Sequence, residues 1–137
     1  MKRKIYQEIA ALVDAYRRCL ETGNQYADTH IDRLLKIERE YLPHGSGIDS
    51  GCNIDLQKSS GEKVVITFGY HFMDENGFYA GWDEYRLTVK ASLMFGFDAR
   101  IVCIHRGSED RDRRGTKEYF YQLFDYALNQ EVDISTL

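Results

Sequence analysis

The stretch KVVITFGYHFMDENGFYAGWDEYRLTVK, residues 63–90, carries the strongest structural signal in the chain. Two runs rich in β-branched and aromatic residues flank Asn76-Gly77, a dipeptide that tolerates the positive φ angles of a type I′ hairpin turn. With Asn76 and Gly77 at the centre of the turn, Glu75 faces Phe78, His71 faces Trp82, Gly69 faces Glu84 and Thr67 faces Arg86. Side chains alternate across a strand. This register therefore gathers Val64, Ile66, Phe68, Tyr70 and Phe72 on one face with Tyr79, Tyr85, Leu87 and Val89. The opposite face is mixed in polarity. A slip of one residue would scramble both.

The same alternation extends in both directions. Downstream, residues 94–104 predict a further strand whose apolar side is Leu93, Phe95, Phe97, Ala99, Ile101 and Cys103. Setting Phe97 opposite Leu87 pairs Arg86 with Asp98 and Glu84 with Arg100, both of opposite sign. Upstream, Cys52, Ile54 and Leu56 alternate with Asn53, Asp55 and Gln57, and Ser59-Ser60-Gly61 turns the chain. Leu56 opposite Val64 places Asn53 beside Thr67.

Helical periodicity brackets these strands. Residues 3–22 carry the stripe Ile5, Ile9, Leu12, Tyr16 and Cys19, with Gly23 suited to a left-handed cap. Residues 25–41 follow, capped by Asn24, with the stripe Ala27, Ile31, Leu34, Leu35, Tyr41 and Leu42, and Pro43 ends them. Residues 116–130 carry Phe120, Leu123, Phe124, Ala127 and Leu128. The expectation is one α+β domain over 1–137. It has a helical hairpin at 1–42, a four-stranded antiparallel meander at 52–105, a C-terminal helix at 116–131, and all helices on one sheet face.

Composition narrows the function classes. The 137 residues are 43% hydrophobic and 29% charged, which excludes a disordered tail. The net charge of -4 argues against general nucleic-acid binding, which needs a basic excess. No apolar run approaches the ~20 residues of a membrane span. Met1-Lys2-Arg3-Lys4 resembles the start of a signal peptide, but Glu8 and Asp14 interrupt the apolar stretch that should follow. Cys19, Cys52 and Cys103 are odd in number and lack CxxC spacing, so free thiols and a cytoplasmic location are expected.

The mixed sheet face, with the Gly-Ser-rich segment 43–51 beside it, is the candidate site. Indole, imidazole, charged groups and loop amides together suit a flat-ringed anionic ligand. The expected ligand-binding residues are Gly45, Ser46, Gly47, Asp49, His71, Tyr79, Trp82, Glu84, Arg86 and Arg100. Trp82, Tyr79 or Phe72 would stack a ring. Arg86, Arg100 and the amides of 45–47 would hold phosphates. Asp49 or Glu84 would take a ribose hydroxyl. Against this stands a bland alternative of solvated ion pairs or a subunit interface around Trp82. No catalytic residue is assigned, because His71 with Glu84 as acid-base partners lacks any nucleophile at recognisable spacing. His30, His44, His71 and His105 are too scattered to predict a metal site, and no cofactor is expected. Mid-strand Gly69, Gly81 and Gly96 each suggest a bulge or the close approach of another group. A shallow sheet face predicts a pocket shared between subunits, hence a homo-oligomer.

Two segments carry a resemblance. The run 42–51, LPHGSGIDSG, resembles an LPxGSGIDxG motif, and the run 71–84, HFMDENGFYAGWDE, resembles HxMDxxGxYxGWxE. Together they are similar to a family of small proteins common in tailed-bacteriophage genomes, over roughly residues 35–130. The Arg-rich run 106–114 departs from the pattern. The resemblance implies no particular activity. It does imply a phage origin, action in the infected bacterial cytoplasm and a role against the host. That role would be sequestering a nucleotide-derived immune signal, binding and inhibiting a host defence protein, or hydrolysing such a signal.

Overall fold

A computed structural model of the chain describes residues 1–45, 47–48, 50–92, 96–107 and 116–137. The elements run β1 (Lys2–Lys4), α1 (Ile5–Thr22), α2 (Ala27–Glu40), β2 (Cys52–Ile54), β3 (Lys63–Met73), β4 (Tyr79–Ser92), β5 (Gly96–Arg106), α3 (Thr116–Asn129), β6 (Glu131–Asp133) and a closing 3-10 turn (Ile134–Thr136). Strands β2-β3-β4-β5 form the expected four-stranded antiparallel meander, in that order. Its apolar face meets the helices in a core that includes Ile5, Ile9, Leu34, Ile37, Phe68, Leu87, Ile101, Phe120 and Phe124. Phe68 is central there, with its ring 5.0 Å from Phe120 and 4.9 Å from Phe124. Burying each such side chain is worth about 1.5–3 kcal/mol.

The ends of the expected helices differ. Residues 2–4 leave the first helix to pair as β1 with β6, so Glu131 belongs to a strand and the last helix stops at Asn129. Gly23 takes the left-handed conformation with φ 68°, and its N–H returns to Cys19 O. Asn24 does not cap α2. Its side chain accepts the Tyr26 N–H at 2.8 Å, and the helix begins at Ala27. The buried stripe of α2 is Leu34 and Ile37, while the expected Leu35 is 47% exposed. Leu34 and Leu42 of the expected stripe are buried, and Ile37 takes the place expected for Leu35.

The body of the β3–β4 ladder has the expected register, with His71 opposite Trp82, Gly69 opposite Glu84 and Thr67 opposite Arg86. The turn does not. Gly77 N–H donates to Asp74 O at 3.0 Å and Asp74 N–H to Phe78 O at 2.8 Å, so Asp74, not Glu75, faces Phe78. Asn76-Gly77 are therefore not the central pair of a type I′ turn. A three-residue loop, Glu75 to Gly77, closes the hairpin, with Gly77 at φ 81° and Asp74 Oδ1 accepting from Asn76 and Phe78. The extra loop residue would put the whole ladder out of register. A bulge at Ala80, where Phe72 pairs with Gly81 and Met73 with Tyr79, restores it.

The β4–β5 ladder is offset by four residues from the expected one. Leu87 pairs with Ile101 rather than Phe97, Arg86 with Val102 rather than Asp98, and Thr88 with Arg100. An even offset keeps Phe97, Ala99 and Ile101 on the helix side, so the two-sided character survives while the expected Arg86–Asp98 and Glu84–Arg100 pairs do not form. A second irregularity shifts the pairing so that Glu84 meets His105. On β2, Asn53 does pair with Thr67, but the strand ends at Ile54. The expected contributions of Leu93 and Phe95 lie outside the described residues.

Candidate functional site

The far face of the sheet presents Thr67, Gly69 and His71 from β3 beside Trp82, Glu84 and Arg86 from β4. Its centre is the contact between Trp82 and Gly69. A side chain at Gly69 would run into the indole at Nε1, Cε2 and Cζ2. The ring therefore lies over the backbone of the neighbouring strand, in space that only glycine leaves open. The shift between Glu84 and Tyr85 turns His105 towards this ring, and the two ring centres stand 5.7 Å apart.

Three features extend the patch. The bulge at Ala80 moves Tyr79 off the apolar face, where alternation had placed it, and brings its ring edge-on to His71 at 5.7 Å. Gly47 O accepts the His71 N–H at 2.9 Å, which draws the glycine-rich segment against this end of β3. Gly47 has φ 99° and sits where a Cβ would meet the Tyr70 ring. The described residues of that segment make defined contacts. Gly45 and Ile48 bond to each other twice, at 3.0 and 2.9 Å, and Ile48 is buried in the core. The Gly45 amide is thus already engaged by Ile48 O. Ser46 and Asp49 lie outside the described residues.

Arg86 lies two positions from Glu84 along β4, and its Nε is buried with no hydrogen-bond partner among the described residues. Arg100 does not join the cluster. It shares the face, but it pairs with Thr88, six residues and about 20 Å of strand from Trp82. The structure therefore brings together Gly47, His71, Tyr79, Trp82, Glu84 and Arg86, adds His105, and leaves Arg100 apart.

A buried carboxylate next to this patch escaped the sequence reading. Asp83 is 0% exposed and points to the helix side between Trp82 and Glu84. Its Oδ1 accepts the Gly107 N–H at 3.0 Å and its Oδ2 the Tyr85 hydroxyl at 3.4 Å. The signal was its parity, which matches Tyr85, Leu87 and Val89: a carboxylate in that row must find donors. Asp83 ties the end of β5 to β4 and so positions His105.

Glu38 and Cys52, both outside the patch, have displaced pKa values. Burial raises the Glu38 carboxyl above its ordinary value, opposed by the hydrogen bond from Ile54 N–H. Burial pushes the Cys52 thiol up to about 12, helped by the nearby Glu38 charge. Such a thiol is a structural residue and a poor nucleophile. Cys19, Cys52 and Cys103 are all free. Among the described residues there is no cluster of His, Cys, Asp or Glu able to hold a metal ion, and no helix is long and apolar enough to cross a membrane.

No protein-family model, curated protein or solved structure matches this chain.

Proposed function

We propose that the far sheet face is a stacking platform for a flat-ringed, anionic molecule of the nucleotide class, and that the protein acts by sequestering it. The observation that carries this reading is Trp82 lying over Gly69. An indole backed by a strand and flanked by His71, Tyr79 and His105 offers a broad ring for stacking. Arg86, four residues along β4 from Trp82, supplies a cation on the same face, and Glu84 between them an acceptor for a hydroxyl. Among the described residues no nucleophile or metal-binding set is assembled at the platform, and the reading taken is binding. The phage-family resemblance supports a setting: a counter-defence protein of the infected bacterial cytoplasm that removes an immune signal, working as a homo-oligomer. Isothermal titration with cyclic nucleotides and ADP-ribose derivatives tests it. Saturable heat that disappears in Trp82→Ala is expected. No heat with any of them, together with no small molecule released on denaturation, overturns it.

A second reading rests on the hairpin tip. Met73, Phe78 and Tyr79 are exposed there, Phe78 by 69%. Three large apolar side chains on one turn suit a protein partner, such as a host defence protein to be inhibited. Phe78→Ala discriminates. It leaves ligand heat intact under the first reading and abolishes partner capture under the second.

A further inference from the structure

β5 is the outer strand of the sheet. The Ile101 N–H points away from β4, since it donates to the Tyr121 hydroxyl at 2.8 Å. Hydrogen-bonding groups alternate in direction along an antiparallel strand, so the N–H and C=O groups of Phe97, Ala99 and Ile101 all face the open side. Among the described residues no strand pairs with this side of β5, and such an edge is a template for another strand.

The side chains on that edge specify which strand. Asp98 and Arg100 flank Ala99 on the far face. Both are exposed, and among the described residues neither belongs to an ion pair. We propose that β5 pairs with β5 of a second copy of this chain, antiparallel about a two-fold axis through Ala99. That axis sets Asp98 opposite the second copy's Arg100 and Arg100 opposite its Asp98. Both are positions where the ladder brings side chains closest. Moving the axis to Asp98 or to Arg100 would oppose like charges, and the axis through Ala99 is the one that sets these two residues against each other. On the helix side, Phe97 faces the second copy's Ile101, and the small Ala99 faces itself. The groove of about 670 Å³ between β5 and α3, floored by Phe97, Ala99 and Tyr121, continues across the axis. Pairing displaces the Tyr121 hydroxyl from Ile101.

This interface gives a location to the homo-oligomer of the functional reading, but it needs no ligand. Ala99 pairs with Val89, seven residues from Trp82, so each platform lies about 23 Å from the axis and stays open. Sedimentation equilibrium of the full chain through the micromolar range tests it, with far-UV circular dichroism to verify folding. The native chain is expected at about twice its mass of 16.0 kDa. Arg100→Glu should weaken association about tenfold or more in low salt, Asp98→Lys should do the same, and the double reversal Asp98→Arg with Arg100→Asp should restore the dimer. A native chain that stays monomeric overturns the proposal. So does a dimer indifferent to the single reversals, or a double reversal that fails to rescue. Trp82→Ala should leave the mass unchanged while removing ligand heat, so the two readings fail separately.

Discussion

Glu38 Oε1 accepts the Ile54 N–H at 2.7 Å, so a side chain of α2 satisfies one outward donor at an edge of the sheet. Tyr121 of α3 does the same for Ile101 at the other edge. Each outer strand thus has one outward N–H held by a helix, a neutral hydroxyl at one side and a desolvated carboxylate at the other. Backbone donors left unpaired at such partly buried positions are costly, which accounts for both contacts.

The burial of Glu38 makes stability depend on pH. Its folded pKa lies above the ordinary 4.5, so the folded state binds the proton more tightly than the unfolded chain. The contribution is greatest at low pH and declines as pH rises from 4.5 through the raised value. Glu38→Gln keeps an acceptor for Ile54 but cannot ionise. Urea unfolding across this window should show a downward slope in the native chain that is reduced in Glu38→Gln. Equal slopes would contradict the assignment.

Gly69→Ala probes the platform directly. The added methyl has no room beneath the indole, so either Trp82 rotates away or the strands separate, at about 1–3 kcal/mol. Trp82 is the single tryptophan, so its fluorescence reports the change without interference. An unchanged emission spectrum and unchanged stability would show that the ring does not rest where described.

Gly47→Ala combines two faults: φ 99° is unfavourable for a side-chain-bearing residue, and the new methyl meets the Tyr70 ring. A loss of about 1–3 kcal/mol is expected from the backbone conformation alone. Hydrogen exchange should localise the loosening to the amide of His71, whose acceptor is Gly47 O. Faster exchange confined to other segments would rule this out.

Tyr121→Phe frees the Ile101 N–H and leaves the ring in place. Folding should weaken by about 0.5–1.5 kcal/mol, the ordinary worth of one such hydrogen bond. If β5 pairs with itself, the same change should tighten association, because the competing hydroxyl is gone. Chemical unfolding and sedimentation read the two effects independently, and weakened association would count against a displaced Tyr121.

The fold and half of the site were legible for one reason: alternation of period two. It places His71, Trp82, Glu84 and Arg86 on a common face whatever the neighbouring strand does. The mid-strand glycine separately marked Gly69 as a place for a bulge or a close approach. The same regularity hides other features. An even slip preserves both faces, so the offset that removes Arg100 from the cluster leaves no trace in the pattern. Bulges are invisible to it as well. Tyr79 changes sides through the extra residue at Ala80, and His105 reaches Trp82 only through the shift beyond Glu84. Ile48, within a run of glycine and serine, had no periodicity to announce its burial.

The hairpin tip holds two one-residue displacements that cancel: the third loop residue and the bulge at Ala80. Each can be removed by itself. Deleting Glu75 would leave Asn76-Gly77 as a two-residue turn between Asp74 and Phe78 with the bulge kept, and deleting Ala80 would leave the three-residue loop on a regular ladder. Either way His71 still faces Trp82, so the length of this tip is free to vary by a residue without moving the indole.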